Sequence, residues 1–547
     1  MAARRAIGVD FGTSTSLVAE QIGRQPVEIA PLGRSTPWFP SVAGLRGGSL
    51  LLGEDADGLS SDQVIRSVKR TITEDRQTIQ VGSDEIDADE VIVALFSEIA
   101  RRAKAAEHPL DDADEVRLGC PAMWSGDQRE RLLRLAAEAS LPISGSSLID
   151  EPIAAGVAWA NHRFYQPGKR PKGKLLVFDM GGGTLDIAVL DIGGKDQPEI
   201  SVLSALGNAK AGDTLDAAIA AQFTGELARL KVPVNSLPNP DRVRSLLLNV
   251  AREAKIRLST VPSHQVVFRG MSELPVLTYL REQLVEAFRP QMADAEQFIW
   301  AALRAAKMTE TIPVQGDGWR THSPEELRRL GMDGLAGEIK YVLLVGGMSR
   351  IPYVGERIGA LFPHAEVFDE IGVVPEEAIV AGLASTSDYE RLNLHRPSFD
   401  FVLEWDGGRQ VLYRAHTPIY DPWQALSMST VYYSRQGTDF QCPRHGRGRL
   451  TVRSITGETV NIKIDNESRD HLPFRLGDDL LFRMYCDGRI IIRDGSGHSR
   501  DLRVDRWPVI RGGDFAELVL KSVTAPQPPE LEGDWGYGQK EWAPPHY

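Results

Sequence analysis

Between residues 7 and 20, IGVDFGTSTSLVAE, an apolar run meets a Gly/Thr/Ser turn and then a second apolar run, a pattern that predicts a β-hairpin. VFDMGGGTLDIAVL at 177–190 repeats this design, so the two hairpins read as an internal duplication. Between them, apolar positions at helical spacing predict helices over 87–107 and 126–141. VRLGCP (116–121) is a short predicted strand that Pro121 ends, and SLIDEPIAAGVAWA (147–160) predicts a strand running into a small-residue helix. The Pro/Gly-rich basic stretch 166–174 reads as a solvated loop rather than a binding patch. Helical spacing returns over 212–227, 241–259 and 277–306. Residues 341–362 then predict a buried strand, a Gly-Gly turn and a helix opening near Pro352, and 375–386 a further helix. Such alternation of strands and helices predicts a layered α/β architecture.

From about residue 396 the texture changes. FDFVLEW, QVLYRAH, RLTVRSI, TVNIKID, DLLFRMY and RIIIRD are short β-prone runs separated by Gly, Asp and Asn turns, which predicts a sandwich or related all-β module. Residues 522–547 are Pro/Gly-rich without periodicity and read as a disordered tail, in which Trp535, Tyr537, Trp542 and Tyr547 are available to anchor a partner.

Composition narrows the function classes. A chain of 547 residues is too long for one ordinary core and suggests three or four domains or subdomains. A net charge of −13 argues against a general nucleic-acid or anionic-membrane binder. No stretch approaches the roughly 18 continuous apolar residues of a membrane helix, so no membrane insertion is expected. The N-terminal residues run directly into a patterned strand without a signal-peptide pattern, and three cysteines fit a reducing cytoplasm. Cys442 and His445 form a single CxxH, too few ligands for a zinc site.

Glycine inside a strand pattern weakens packing and marks a tight bend or a close approach to the backbone. Gly181, Gly182, Gly183 and Thr184 in one hairpin, and Gly12, Thr13, Ser14 and Thr15 in the other, can offer amides and small hydroxyls to phosphate oxygens. Asp10, Asp179 and Asp186 at the hairpin mouths would repel phosphate unless a divalent cation lay between, which implies Mg²⁺ held mainly through waters. Glu151, just after a strand end, can orient an attacking water or a metal water.

These segments, in this order, resemble the actin-like ATPase superfamily and in detail the seventy-kilodalton heat-shock (Hsp70/DnaK-type) chaperones. IGVDFGTSTSLVA resembles that family's first phosphate loop, FDMGGGTLD its second, DEPIAAGVAWA its first connecting helix, LLVGGMSRIP its adenosine loop and PEEAIVAGLA its second connecting helix. The resemblance covers residues 6 to about 386. It implies a two-lobed α/β fold of duplicated ribonuclease-H-like cores followed by a β-rich C-terminal domain. The expected plan is a nucleotide-binding region over 1–388 (lobe I about 1–173, lobe II about 174–362, closing helix 375–388), a β-sandwich-like substrate or partner domain over 396–521, and the tail.

The resemblance further implies ATP/ADP and Mg²⁺ as ligands, with Asp10, Thr13, Glu151, Asp179 and Asp186 as catalytic candidates. Gly346, Gly347, Ser349 and Arg350 would border the adenine, with Lys255 on the nucleoside's other side or, in the alternative, on a solvated helix face. Pro121 and Arg129 of CPAMWSGDQR match positions that couple nucleotide state to the partner domain; the plain reading is a strand terminator and a surface helix residue.

Three departures qualify the expectation. The family's catalytic lysine is expected in an insertion that SVKRTITEDRQTIQVGSDEIDADE is too short to hold, so Lys69 and Arg70 match an upstream pair and hydrolysis is expected to be slow or lost. Arg252 stands where the family has a glutamate, and SDYERLNLHRPSFD is polar where the family has a short apolar linker. The β-region resembles the last strands of the family's substrate domain only faintly, so an independent β-module stays open. Three functions follow: a slow ATPase switch that couples nucleotide state to protein or peptide binding, a nucleotide-responsive scaffold without turnover, or, least supported, a small-molecule kinase.

Overall fold

The computed structural model describes residues 3–523 apart from 61–62, 83, 272, 314–318, 370–373, 386–392, 422–431 and 509–515. The predicted tail therefore lies outside the described residues beyond Val523, as do 387–392 of the linker.

The duplication read from the two hairpins extends to whole sheets. In the first, β1 (Arg5–Phe11) pairs antiparallel with β2 (Thr15–Ile22), and β2 with β3 (Glu28–Ile29). β4 (Glu115–Cys120) lies parallel to β1, and β5 (Leu148–Asp150) parallel to β4. The second sheet repeats the arrangement with β6 (Gly173–Met180), β7 (Leu185–Gly193), β8 (Glu199–Asn208), β9 (Ile339–Val345) and β10 (Glu366–Phe368). Written by position, both run third, second, first, fourth, fifth. The central strands are buried at nearly every position, as expected where helices cover both faces of a sheet.

Two helices cross between the lobes and exchange partners. Helix Glu151–Phe164 leaves lobe I yet packs on lobe II, where a Cβ on Gly156 would stand 2.3 Å from Leu190 and 3.0 Å from Val177. Helix Ala378–Leu383 leaves lobe II yet packs on lobe I, where a Cβ on Gly8 would stand 2.6 Å from Leu383. At their crossing Gly382 lies directly on the backbone of Ala154. The small residues in these two stretches thus permit a close crossing between the lobes.

One boundary differs from expectation. Residues Leu277–Leu280 form a strand paired with Ser263–Val266, and the helix begins only at Arg281. The alternating buried and exposed side chains of Leu277–Leu280 have a period of two, which the adjoining helical pattern masks.

Among the described residues the β-region contains eleven strands between Asp400 and Ser522, nine of them hydrogen-bonded along one folded path and two, Glu467–Arg469 and Leu472–Leu476, paired beside it. Its halves pack face to face, with Phe401 and Phe482 ring centroids 5.3 Å apart. The region is docked on both lobes: its apolar core is continuous with that of lobe II, and Ile455 enters the core of lobe I.

Candidate functional site

Hairpin register builds the centre of the site. Asp179 and Asp186 lie directly opposite each other across β6 and β7, where like charges oppose pairing. Asp10, near the end of β1, and Glu151, at the start of its helix, are buried with them. Burial first, and Glu151 second, push Asp10 and Asp186 up to about 7. Asp179 is raised well above the ordinary carboxylate range by burial, then by Glu151, Asp186 and Asp10.

Lys69 enters this cluster and forms an ion pair with Glu151. Its side chain is 4% exposed. Burial alone would lower its pKa, but Glu151 and Asp10 outweigh that and raise it. The expectation that a site lysine is absent is therefore corrected. The chain segment before the short helix Arg70–Thr73 carries Lys69 inward between buried Val68 and Thr71, so no insertion is required to deliver a cation.

The hairpin turns face one another. A Cβ on Gly182 would stand 2.9 Å from Ser14 Oγ, and one on Gly183 would stand 2.8 Å from Thr13 Oγ1, so glycine is what lets the two turns approach. Gly181 N donates to Thr184 O at 3.0 Å and closes the second turn. Across the mouth, Ser67 Oγ of lobe I donates to Asp213 of lobe II at 2.7 Å.

Gly346 adjoins the same cluster. Its φ of +79° favours glycine, and a Cβ there would meet Asp179 Oδ1 at 2.6 Å. Gly347 starts a short 3-10 turn through Arg350, and Ser349 Oγ donates to Val345 O. Arg350 points away to Glu376 and its side chain is 51% exposed. Lys255, by contrast, is buried, pairs with Asp216 at 2.7 Å and donates to Gly212 O at 3.0 Å. That geometry excludes the solvated-face alternative, and Gly212 N in turn donates to Gly181 O at 3.1 Å, linking Lys255 to the second hairpin. Arg252 is committed to Asp213 at 2.9 Å.

Whether this cluster fits a divalent cation can be judged from its charge. Four buried carboxylates face one ammonium, and Asp186 Oδ2 is buried without a hydrogen-bond partner. Burial and mutual repulsion hold three of these carboxyls toward their protonated forms, so a cation can take the place of those protons. Among the described residues no three acidic, imidazole or thiol groups converge on a direct metal site.

Arg129 is buried, which corrects its reading as a surface helix residue. It pairs with Asp150 at 2.6 Å and donates to Trp124 O at 3.0 Å, beside Pro121 at the end of β4. The polar linker also docks: His395 and Arg396 are buried, and Arg396 reaches the carbonyls after Pro121. Ala122, Trp124 and Arg396 form the part of this neighbourhood that sequence reasoning missed, and Lys69 was named there only as one of an upstream pair. For Lys69 a basic pair beside apolar positions was the available signal.

Two sheets of identical strand order, joined by crossed helices over an acidic cleft, define the two-lobed fold of actin-like ATPases. Residues 73–311 match the family model described as Hsp70 protein. Among curated relatives, the chaperone protein DnaK of Picrophilus torridus is 29% identical over 391 residues, covering 70% of this chain and 57% of that protein. DnaK of Thermosipho africanus is 26% identical over 69% of this chain and 58% of its own length. DnaK of Thermoplasma volcanium is 28% identical over 70% and 57%. The chain spans somewhat under three-fifths of the length of these relatives. Together these likenesses support an Hsp70/DnaK-type, chaperone-type ATPase family for the chain. Among the described residues no helix is long and apolar enough to cross a membrane.

Proposed function

We propose that the protein is an ATP-hydrolysing switch that binds Mg-ATP between its lobes and alters what the β-region binds, a protein or peptide segment. The observation that carries this reading is the apposition of the two hairpin turns over the cluster of Asp10, Glu151, Asp179, Asp186 and Lys69. Thr13 and Ser14 offer hydroxyls to the phosphates from lobe I, and the Gly181–Thr184 turn closes on them from lobe II. Glu151 and Asp179 accept hydrogen bonds from the attacking water and orient it. Lys69 offsets charge on the transferred phosphoryl group, so positioning and electrostatics supply the acceleration. Mg²⁺, when held near Asp10, Asp179 and Asp186, neutralises phosphate oxygens. Gly346, Gly347, Ser349 and Arg350 border the base, with Lys255 across from them. A cytoplasmic location fits the cysteine usage.

The scaffold reading drew its support from a missing lysine, and buried Lys69 removes that support. A single-turnover assay with radiolabelled Mg-ATP separates the two. The expected result is conversion of bound ATP to ADP by the wild-type chain, with Asp179→Asn and Thr13→Ala each slower by at least about tenfold. ATP bound but retained intact would favour the scaffold. No binding would contradict both readings.

A further inference from the structure

A cavity of about 700 Å³ opens between lobe I and the β-region, and no residue of the two hairpin turns lines it. Leu148, Ile149 and Ile153 form its lobe I wall, and Phe399, Trp507 and Leu520 its β-region wall. That volume is ample for a ligand-sized group. The Trp507 ring stacks on Phe399, with centroids 5.8 Å apart and planes 8° from parallel. Its Nε1 is buried without a hydrogen-bond partner, so the wall holds an unused donor beside an aromatic face.

Five lysines and arginines but only three aspartates line the cavity, and most of them are already engaged. Arg129 pairs with Asp150 at 2.6 Å and Lys521 with Asp505 at 2.6 Å. Arg396 donates to backbone carbonyls, and Asp465 accepts from Ser522 N at 3.1 Å. Lys463, half-buried, and Arg506, exposed, remain without a carboxylate partner among the described residues. Two uncommitted cations beside apolar walls and an unused indole N–H select a ligand that is acidic and also carries a large apolar group.

The chain itself supplies such a ligand. Val519, Leu520 and Lys521 line the cavity on the strand Glu517–Ser522, which leads directly into the tail, and Val523 N donates to Asp501 O at 3.0 Å. Glu530 is seven residues beyond Val523, within a reach of at most about 25 Å. The stretch ELEGDW at 530–535 sets Glu530, Glu532 and Asp534 beside Leu531 and Trp535, and 524–547 as a whole holds four acidic side chains against one lysine. So short a tether gives an effective concentration on the order of millimolar, and a modest intrinsic affinity then fills the site. We infer that the cavity is a binding site for an acidic peptide with a bulky apolar side chain, and that residues 530–535 of the same chain occupy it. Their carboxylates pair with Lys463 and Arg506, and Trp535 packs against Trp507.

The test uses the full chain in four forms: wild type, a disabled tail (Glu532→Gln with Trp535→Ala), Trp542→Ala, and the disabled tail with Lys463→Gln and Arg506→Gln added. Neither readout needs nucleotide, so the outcome is independent of the ATPase reading. Carbodiimide coupling joins an amine to a carboxylate in contact with it, and mass spectrometry of the monomer maps the product. In low salt Lys463 is expected to couple to Glu530, Glu532 or Asp534, with a yield at least about fivefold lower in high salt. Absence of that product in the wild type, or its appearance only between two chains, overturns the inference. Fluorescence polarisation then reads binding of a labelled synthetic peptide of residues 528–537. The peptide is expected to bind the disabled-tail chain at least about tenfold more tightly than wild type or Trp542→Ala. Neutralising Lys463 and Arg506 should weaken it again by at least about fivefold. Equal affinity for wild type and the disabled tail overturns occupation by the tail. Equal affinity with and without the two cations overturns the cavity as its seat, and Trp542→Ala matching the disabled tail overturns the choice of segment.

Discussion

The two hairpins share one backbone plan and differ in what they carry. The lobe I turn ends in hydroxyls, Thr13 and Ser14, whereas the lobe II turn offers the bare faces of Gly182 and Gly183 against them. Lobe I supplies Lys69 and Glu151 as an ion pair; lobe II supplies Asp179 and Asp186 as an unpaired, directly opposed couple. Duplication thus fixed the scaffold twice, and specialisation gave each copy one half of a charge arrangement. Neither half is balanced alone, since Asp10 leaves lobe I one acid in excess of Lys69 and lobe II brings two more.

Removing Lys69 should break this comparison most severely. Lys69→Met leaves Glu151 buried without its cation, and loss of a buried pair's partner costs about 3 kcal/mol of stability. ATP conversion should fall at least about a hundredfold while nucleotide binding persists, as single-turnover and equilibrium binding assays on one preparation would register. A rate within about threefold of wild type would remove Lys69 from the hydrolytic group.

A smaller effect separates two adjacent glycines. Gly346→Ala places a Cβ at positive φ and 2.5 Å from Met180 O, so thermal unfolding should report a loss of about 2–3 kcal/mol. Gly347 has nothing within 4 Å of a Cβ, and Gly347→Ala should stay within about 0.5 kcal/mol. Equal losses would mean that contact with the lobe II cluster is not what Gly346 provides.

The smallest effect concerns pH. Asp10 and Asp186 rise from 3.8 to about 7 on folding, so the folded state favours their protonated forms. Their contribution to stability is complete below the unfolded value and is lost as pH rises through about 7. The metal-free chain should therefore lose stability between about pH 4 and about pH 7, and Asp10→Asn should flatten that slope. Conversely, Mg²⁺ competes with those protons, and its enhancement of nucleotide binding should weaken about tenfold from about pH 8 to about pH 6. A pH-independent Mg²⁺ effect would place the cation away from these aspartates.

Much of the lobed fold was legible because strand and helix periods are local and the repeated hairpin advertised the duplication. Residues 277–280 were misread because a four-residue strand abuts a 29-residue helix and adds too few positions to show a period of its own. Local patterns conveyed the hairpin motifs but not the partners they meet. Lys69 is distant in sequence from Glu151, and only tertiary packing brings a short polar segment beneath the cleft. Arg129 sits on a strongly polar helix whose neighbours are charged, so its burial against Asp150 left no trace in the pattern. Arg396 was hidden by the same rule, since a polar linker reads as solvated until its carbonyl partners are seen.

The central claim is that phosphates lie between the two hairpin turns. A crystal structure with Mg²⁺ and a non-hydrolysable ATP analogue tests it most directly. Phosphate oxygens are expected within hydrogen-bond reach of Thr13 and Ser14 on one side and the Gly181–Thr184 turn on the other, with the cation near Asp10, Asp179 and Asp186. A nucleotide seated elsewhere, or one whose phosphates avoid either turn, would contradict it.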